Sequence, residues 1–321
     1  MNLTINAINT INTNNHNYLS VISKPKKNLQ TNTDLLKSLT FKGISERNIQ
    51  GISMDKIKAE KTFEAIINEY KKLPQVEAIA IGGSSQTNTT DKGSDIDIEI
   101  YTNGDIPVET RLDIVKKYSS KFEVGQEYFG PGDEFYVNDM DKELDVVFFD
   151  KKWMDDTIER VWEKHQPSNG YTTCFLHTIK NCRPLYDHSG WLQSKKLQLE
   201  KPYPKELKEN IIHRNLMLLK DKPFSSYYEQ IEKAINRNDR NSVNHRLSAF
   251  MESYFDIIFA LNETLHPGEK KLVRFAKEKC KILPQDFEEN INKVLSQPND
   301  DTLNILDDMV DKLKVSISQS N

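Results

Sequence analysis

Seven consecutive residues, Asp95-Ile96-Asp97-Ile98-Glu99-Ile100-Tyr101, alternate strictly between polar and β-branched side chains. Wound into a helix, that pattern would scatter carboxylates and isoleucines around the whole surface. Extended, it separates them, because successive side chains of a strand point to opposite faces. The segment therefore reads as a strand with Ile96, Ile98 and Ile100 toward a core and Asp95, Asp97 and Glu99 together on the other face. Upstream, the short run Val76 to Ile81 (VEAIAI) reads as a buried strand that ends in the turn Gly82-Gly83, and the polar stretch from Ser84 to Ser94 reads as the loop between the two strands.

Around this pair the pattern alternates between helix and strand. Ile57, Phe63, Ile66, Ile67 and Tyr70 recur at helical spacing between Met54 and Leu73, and Pro74 ends the run. Pro107 opens a helix predicted to reach about Phe122. A Gly-Pro-Gly turn at Gly130 to Gly132 then leads to a strand pair, Phe135 to Val137 with Glu143 to Phe149. After Asp150 the periodicity is helical: Trp153 to Lys164, Lys205 to Lys220, Tyr227 to Asn236, Ser242 to Leu261, Glu269 to Lys281 and two more near the end. In the longest of these, Leu247, Phe250, Met251, Tyr254, Phe255 and Ile258 form a broad apolar face suited to a bundle core. With 321 residues the chain has room for two domains. The expected fold is α+β, a small mixed-sheet domain over residues 34–152 followed by an α-helical bundle over 153–321. Residues 1–33 hold nine Asn, three Lys and no acid, offer no packable face, and are expected to form a disordered tail without a secretory signal.

Composition narrows the function classes. No apolar run approaches the roughly 18 residues of a membrane span. The three cysteines, Cys174, Cys182 and Cys280, make no disulfide framework, which suits a reducing, cytoplasmic setting. The formal net charge of −4 argues against a nucleic-acid partner gripped through its backbone. Residues 91–150 alone carry 16 acids against 6 bases, a net of −10, so the rest of the chain is net basic. Carboxylates gathered this densely point to a cation.

The alternating strand says where the cation would sit. Asp95 and Asp97, two apart on one strand, can converge on one ion, and Asp145 joins them if its strand lies alongside. Oxygen-only ligands suit Mg²⁺ or Mn²⁺ bridging a nucleotide. Gly83 and Ser84, after the first strand, supply close backbone approach, N–H groups and a hydroxyl for phosphate oxygens. Together these are parts for phosphoryl transfer.

Gly83-Ser84, nine residues, then Ser94-Asp95-Ile96-Asp97 and the later, apolar-flanked Asp145 resemble the signature of the DNA polymerase beta-like nucleotidyltransferase superfamily. The arrangement of a minimal catalytic domain before a helical one is similar to the antibiotic nucleotidyltransferases that adenylylate aminoglycosides and lincosamides. The resemblance implies that Asp95 and Asp97 bind metal and that Gly83 and Ser84 contact phosphates. It also implies that Asp145 is a third carboxylate, serving a metal or deprotonating the acceptor. The segment HPGEKKL (His266 to Leu272) looks like the Pro-x-x-Lys segment of some relatives; Lys270 and Lys271 follow its Pro-Gly turn at a helix start, where they read either as phosphate contacts or as an ordinary charged first turn.

The expected reaction is transfer of a nucleoside monophosphate, most simply AMP from ATP, to a hydroxyl of a small polyhydroxyl or cationic acceptor held between the domains, with pyrophosphate released. The competing readings are a toxin-like enzyme that modifies RNA or protein, and a non-catalytic nucleotide-binding protein. Other features read more plainly. Glu99 and Glu143 are supporting or surface groups, and Cys174, His177 and Cys182 are too few and unevenly spaced for a metal site. His245, Glu252 and Asp256 form a polar helical stripe, by default a solvated face and alternatively an acceptor-pocket wall.

Overall fold

The computed structural model describes residues 54–82, 95–128, 130–222, 224–296 and 301–320. The Asn-rich segment 1–33 and the pair Gly83 and Ser84 lie outside the described residues. The described residues form two compact units, one drawn from residues 54–155 and 178–198 and the other from 156–177 and 199–320.

The first unit is built on a six-stranded mixed sheet of order β3-β4-β5-β2-β1-β6. Its strands are β1 (Val76–Ile81), β2 (Ile96–Thr102), β3 (Lys121–Gln126), β4 (Gly132–Val137), β5 (Lys142–Asp150) and β6 (Arg183–Asp187). All neighbouring pairs are antiparallel except β2 and β5, which run parallel. Every residue of β1 is buried, as the continuous apolar run requires of a strand covered on both faces. Helices α1 (Met54–Lys71) and α2 (Val108–Val115) cover one face. There Phe63, Ile66 and Tyr70 pack with Ile79, Ile98, Ile100 and Val146 in a single apolar cluster. The isoleucines of the alternating strand thus lie in the core, as their phase predicts.

Two differences from the sequence pattern concern this sheet. The helix opened by Pro107 ends at Val115, and Lys121 to Gln126 is an edge strand whose first residues are exposed. The span after Asp150 is not helical throughout. After α3 (Lys151–Ile158) and α4 (Cys174–Asn181), β6 pairs with β1 and is followed by α5 (Trp191–Leu199). An edge strand of five residues containing a proline carries too little alternation to be read from sequence.

The helical unit contains α6 (Lys205–Leu216), α7 (Tyr227–Asn236), α8 (Arg240–Leu261), α9 (Leu272–Lys279), α10 (Phe287–Ser296) and α11 (Thr302–Ser318). The six predicted face residues of α8 are all buried. So are Ser253, Asp256, Ile257, Phe259, Ala260 and Leu261, so the helix's second half is enclosed on all sides. Asp256 is therefore not on a solvated stripe: it is 1 % exposed, whereas His245 is exposed. Its carboxylate accepts three hydrogen bonds, from the Thr172 N–H (3.0 Å), the Thr172 hydroxyl (2.6 Å) and the Asn215 side-chain amide (3.0 Å). Burial pushes this carboxyl up to about 7 against the pull of those donors. The partner loop is held closely: Gly170, at φ +84°, donates its N–H to Asn215, and a Cβ there would come within 2.8 Å of Glu252.

The Thr172 hydroxyl also accepts the Ser168 N–H at 3.0 Å, so it ties the loop to itself and to the helix. Replacing it by Val, which keeps the shape but removes both bonds, is expected to cost about 2 kcal/mol in urea unfolding. A loss within experimental error would show that the network does not hold the loop.

Candidate active site

The face of the sheet opposite α1 and α2 carries the carboxylates. In the parallel pair β2/β5, Asp97 lies directly beside Asp145, and on the next strand Glu134 lies directly beside Asp145. Asp97, Asp145 and Glu134 thus form a row across three strands, and all three are half-buried. Asp95 immediately precedes β2, also half-buried. The condition left open by the sequence, whether Asp145's strand lies alongside, is met with no stagger. Sequence reasoning missed Glu134, because register between strands decides its place and no local signal marks it.

One step along the strands lies the row Ala80, Glu99, Val147 and Gly132. Glu99 is buried, at 7 % exposure, and accepts the Tyr101 hydroxyl at 2.8 Å. Burial pushes its carboxyl up to about 8; the Tyr101 hydrogen bond lowers it, Asp97 raises it and Lys196 lowers it. Tyr101 is held between Phe149 (ring centroids 5.6 Å) and Trp191 of α5 (5.1 Å). Lys196, also on α5, donates to the carbonyls of Ile179 (3.3 Å), Lys180 (2.5 Å) and Cys182 (2.7 Å) at the end of α4. The missed helix α5 thus contributes Trp191 to an aromatic cluster with Tyr101 of β2 and Phe149 of β5, next to Glu99.

The other predicted residues are described within their own units. Lys270 is exposed in the turn before α9 in the helical unit, and Lys271 takes the left-handed conformation that caps this helix. Cys174, Cys182 and Cys280 are free and buried, and burial pushes each thiol up to about 12, the behaviour of packing residues. Among the described residues no helix is long and apolar enough to cross a membrane.

A hard divalent cation fits the donor set of the acidic row in one specific way. Among the described residues no three His, Cys, Asp or Glu side chains are gathered as a ready-made cage. Mg²⁺ characteristically takes only one or two carboxylates and completes its shell with water and substrate phosphates, and the Asp97/Asp145 pair offers that. Asp95 stands at the entry of the same strand.

Comparison with known proteins assigns the class. Residues 63–168 match the family described as nucleotidyltransferase domain, and residues 171–272 match a domain of unknown function, DUF4037. The chain matches no curated protein. Among solved structures it is similar to a nucleotidyltransferase-like protein from Exiguobacterium sibiricum 255-15, with 11% identity and a TM-score of 0.41 over 81% of this chain and 74% of that one. It is also similar to a STING-associated CdnE c-di-GMP synthase from Capnocytophaga granulosa, with 16% identity and a TM-score of 0.25 over 83% and 81%. Residues 63–168, which span most of the mixed sheet, are thus a nucleotidyltransferase domain, and nucleotidyl transfer is the enzyme class it supports. Enzymes of this class generally act on a nucleoside triphosphate with a divalent metal.

Proposed function

We propose that the enzyme transfers a nucleoside monophosphate, AMP from ATP in the simplest case, to a hydroxyl of a small acceptor and releases pyrophosphate. The observation that carries this reading is the in-register pair of Asp97 and Asp145 on adjacent parallel strands, with Asp95 at the entry of the first. In the reaction the acceptor oxygen forms a bond to the α-phosphorus, the bond from that phosphorus to the bridging oxygen breaks, and pyrophosphate leaves with the electron pair. Asp95, Asp97 and Asp145 would hold Mg²⁺ or Mn²⁺, which when bound neutralises triphosphate charge and orients the reacting groups. In the alternative role Asp145 would take the acceptor's proton, and Gly83 and Ser84, which follow Gly82 at the end of β1 in the sequence, would hold phosphate oxygens. Lys270 is a further candidate for phosphate contact.

The acceptor class follows from charge. The row of Asp97, Asp145 and Glu134 with nearby Asp95 holds more negative charge than one divalent ion offsets, which supports a cationic or polyhydroxyl acceptor over a polyanion. An aminoglycoside-like compound meets that description. The test is incubation with each labelled nucleoside triphosphate and Mg²⁺, with aminoglycosides, lincosamides, RNA and protein as acceptors, read by mass spectrometry. A small acceptor gaining one nucleoside monophosphate, with pyrophosphate released, is the expected result. Label found only on RNA or on a protein side chain would replace the small-molecule reading, and no transfer to any acceptor would overturn both.

A further inference from the structure

The end of β1 is fitted against β2 by an unusually close contact. Gly82, the last described residue before the Gly83-Ser84 segment, donates its N–H to the carbonyl of Asp97 at 3.0 Å. A Cβ built on Gly82 would lie 1.8 Å from Glu99 Oε1, 2.4 Å from its Cδ and 3.0 Å from its Cγ, so a larger residue at 82 would force the buried Glu99 side chain out of its present place. All three of the nearest atoms belong to the Glu99 side chain. The other carboxylate oxygen of Glu99 accepts the Tyr101 hydroxyl, and Tyr101 is fixed by Phe149 and Trp191. A continuous line of contact runs from the aromatic cluster through Tyr101 and Glu99 to Gly82, and from Gly82 by a backbone hydrogen bond to Asp97.

We propose that Glu99 is a positioning residue for nucleotidyl transfer: wedged between Tyr101 and Gly82, its side chain sets how the end of β1 lies against the strand that bears Asp97. It acts through Gly82 and Asp97 and itself touches no substrate. The inference rests on the transfer reading given above for its effect on activity. The contact alone makes Gly82 and Glu99 a coupled pair, because a residue larger than glycine at 82 and the Glu99 side chain in its present position cannot occupy the same space.

The experiment is a double-mutant cycle in the full chain, using ATP, Mg²⁺ and the acceptor found to be labelled, with thermal unfolding of each variant. Glu99→Ala leaves Gly82 unsupported, and Gly82→Ala drives a methyl group into the carboxyl. Each is expected to lower kcat/KM by about 100-fold, the order of loss that a misplacement of about 1 Å produces. The nucleotide KM and the Mg²⁺ concentration for half-maximal rate should rise together. The double variant, in which the methyl group occupies the vacated space, should recover to within about tenfold of wild type. Glu99→Gln keeps the volume and an acceptor for Tyr101, and is expected to stay within about threefold of wild type. A double variant no better than the worse single, or Gly82→Ala with wild-type kinetics, would overturn the proposal. The same recovery should appear in melting temperature. Coupling in stability but not in kinetics would make the wedge structural only and also overturn the positioning role. A wild type inactive toward every acceptor would instead fail the transfer reading, while coupling in the melts would still report on the contact itself.

Discussion

Asp97→Ala is expected to lower transfer by roughly 1000-fold, the equivalent of several kcal/mol of charge stabilisation lost from the transition state. The fold should survive. Asp97 is half-buried on the polar face, and the packing of β2 depends on Ile96, Ile98 and Ile100 on the other side. Its in-register neighbour is a second carboxylate, and like charges directly opposite each other oppose strand pairing. The substitution should therefore leave stability within about 1 kcal/mol of wild type. Steady-state rates over a Mg²⁺ series, with urea unfolding of the same preparations, check both halves. Unchanged turnover at saturating Mg²⁺ would sink the metal assignment, and a large loss of stability would place Asp97 in the structure instead of the chemistry.

The second large effect lies on the opposite face. Asp133 of β4 is fully buried, and its carboxylate meets the Arg111 guanidinium at 3.0 Å and accepts the Gly125 N–H at 2.9 Å. Arg111, also buried, lies 4.7 Å above the Phe148 ring. Arg111→Ala would strand a carboxylate in the core, and breaking a buried pair this way typically costs about 3–5 kcal/mol. Protonation sets the pH profile. Burial raises the Asp133 carboxyl to about 6, while Arg111 and the Gly125 N–H pull it down. Because the folded value lies above the ordinary 3.8, the neutral form is the one the fold favours. That stability is complete below pH 4 and is lost as pH rises through about 6. Without Arg111 the carboxyl moves higher still. The deficit of the variant should therefore be smaller at pH 5 than at pH 8, measured by urea unfolding at both. A deficit equal at the two pH values would show that the loss is one of packing against Phe148 and not of charge.

The sequence by itself determined the strand of the site and its polarity. The alternation from Asp95 to Tyr101 admits one solution, because a period of two puts isoleucines and carboxylates on opposite faces whatever the rest of the chain does. It also determined the long buried helix, since the apolar spacing of Leu247 to Ile258 fits only a helix packed in a core. Tertiary structure decided which residues became neighbours. That Asp97, Asp145 and Glu134 share one row depends on strand order and register, which are set by pairing between segments far apart in the chain. The burial of Glu99 and Asp256 was equally out of reach. Each looks locally like a residue of a polar stripe, and each is enclosed with the help of groups from other segments, Gly82 and the rings of Phe149 and Trp191 that fix Tyr101 for the one, Thr172 and Asn215 for the other. Periodicity records which side of an element meets apolar surface. It does not record a buried polar group whose solvation has been replaced by hydrogen bonds from elsewhere in the fold, because those donors become its neighbours only when the chain has folded.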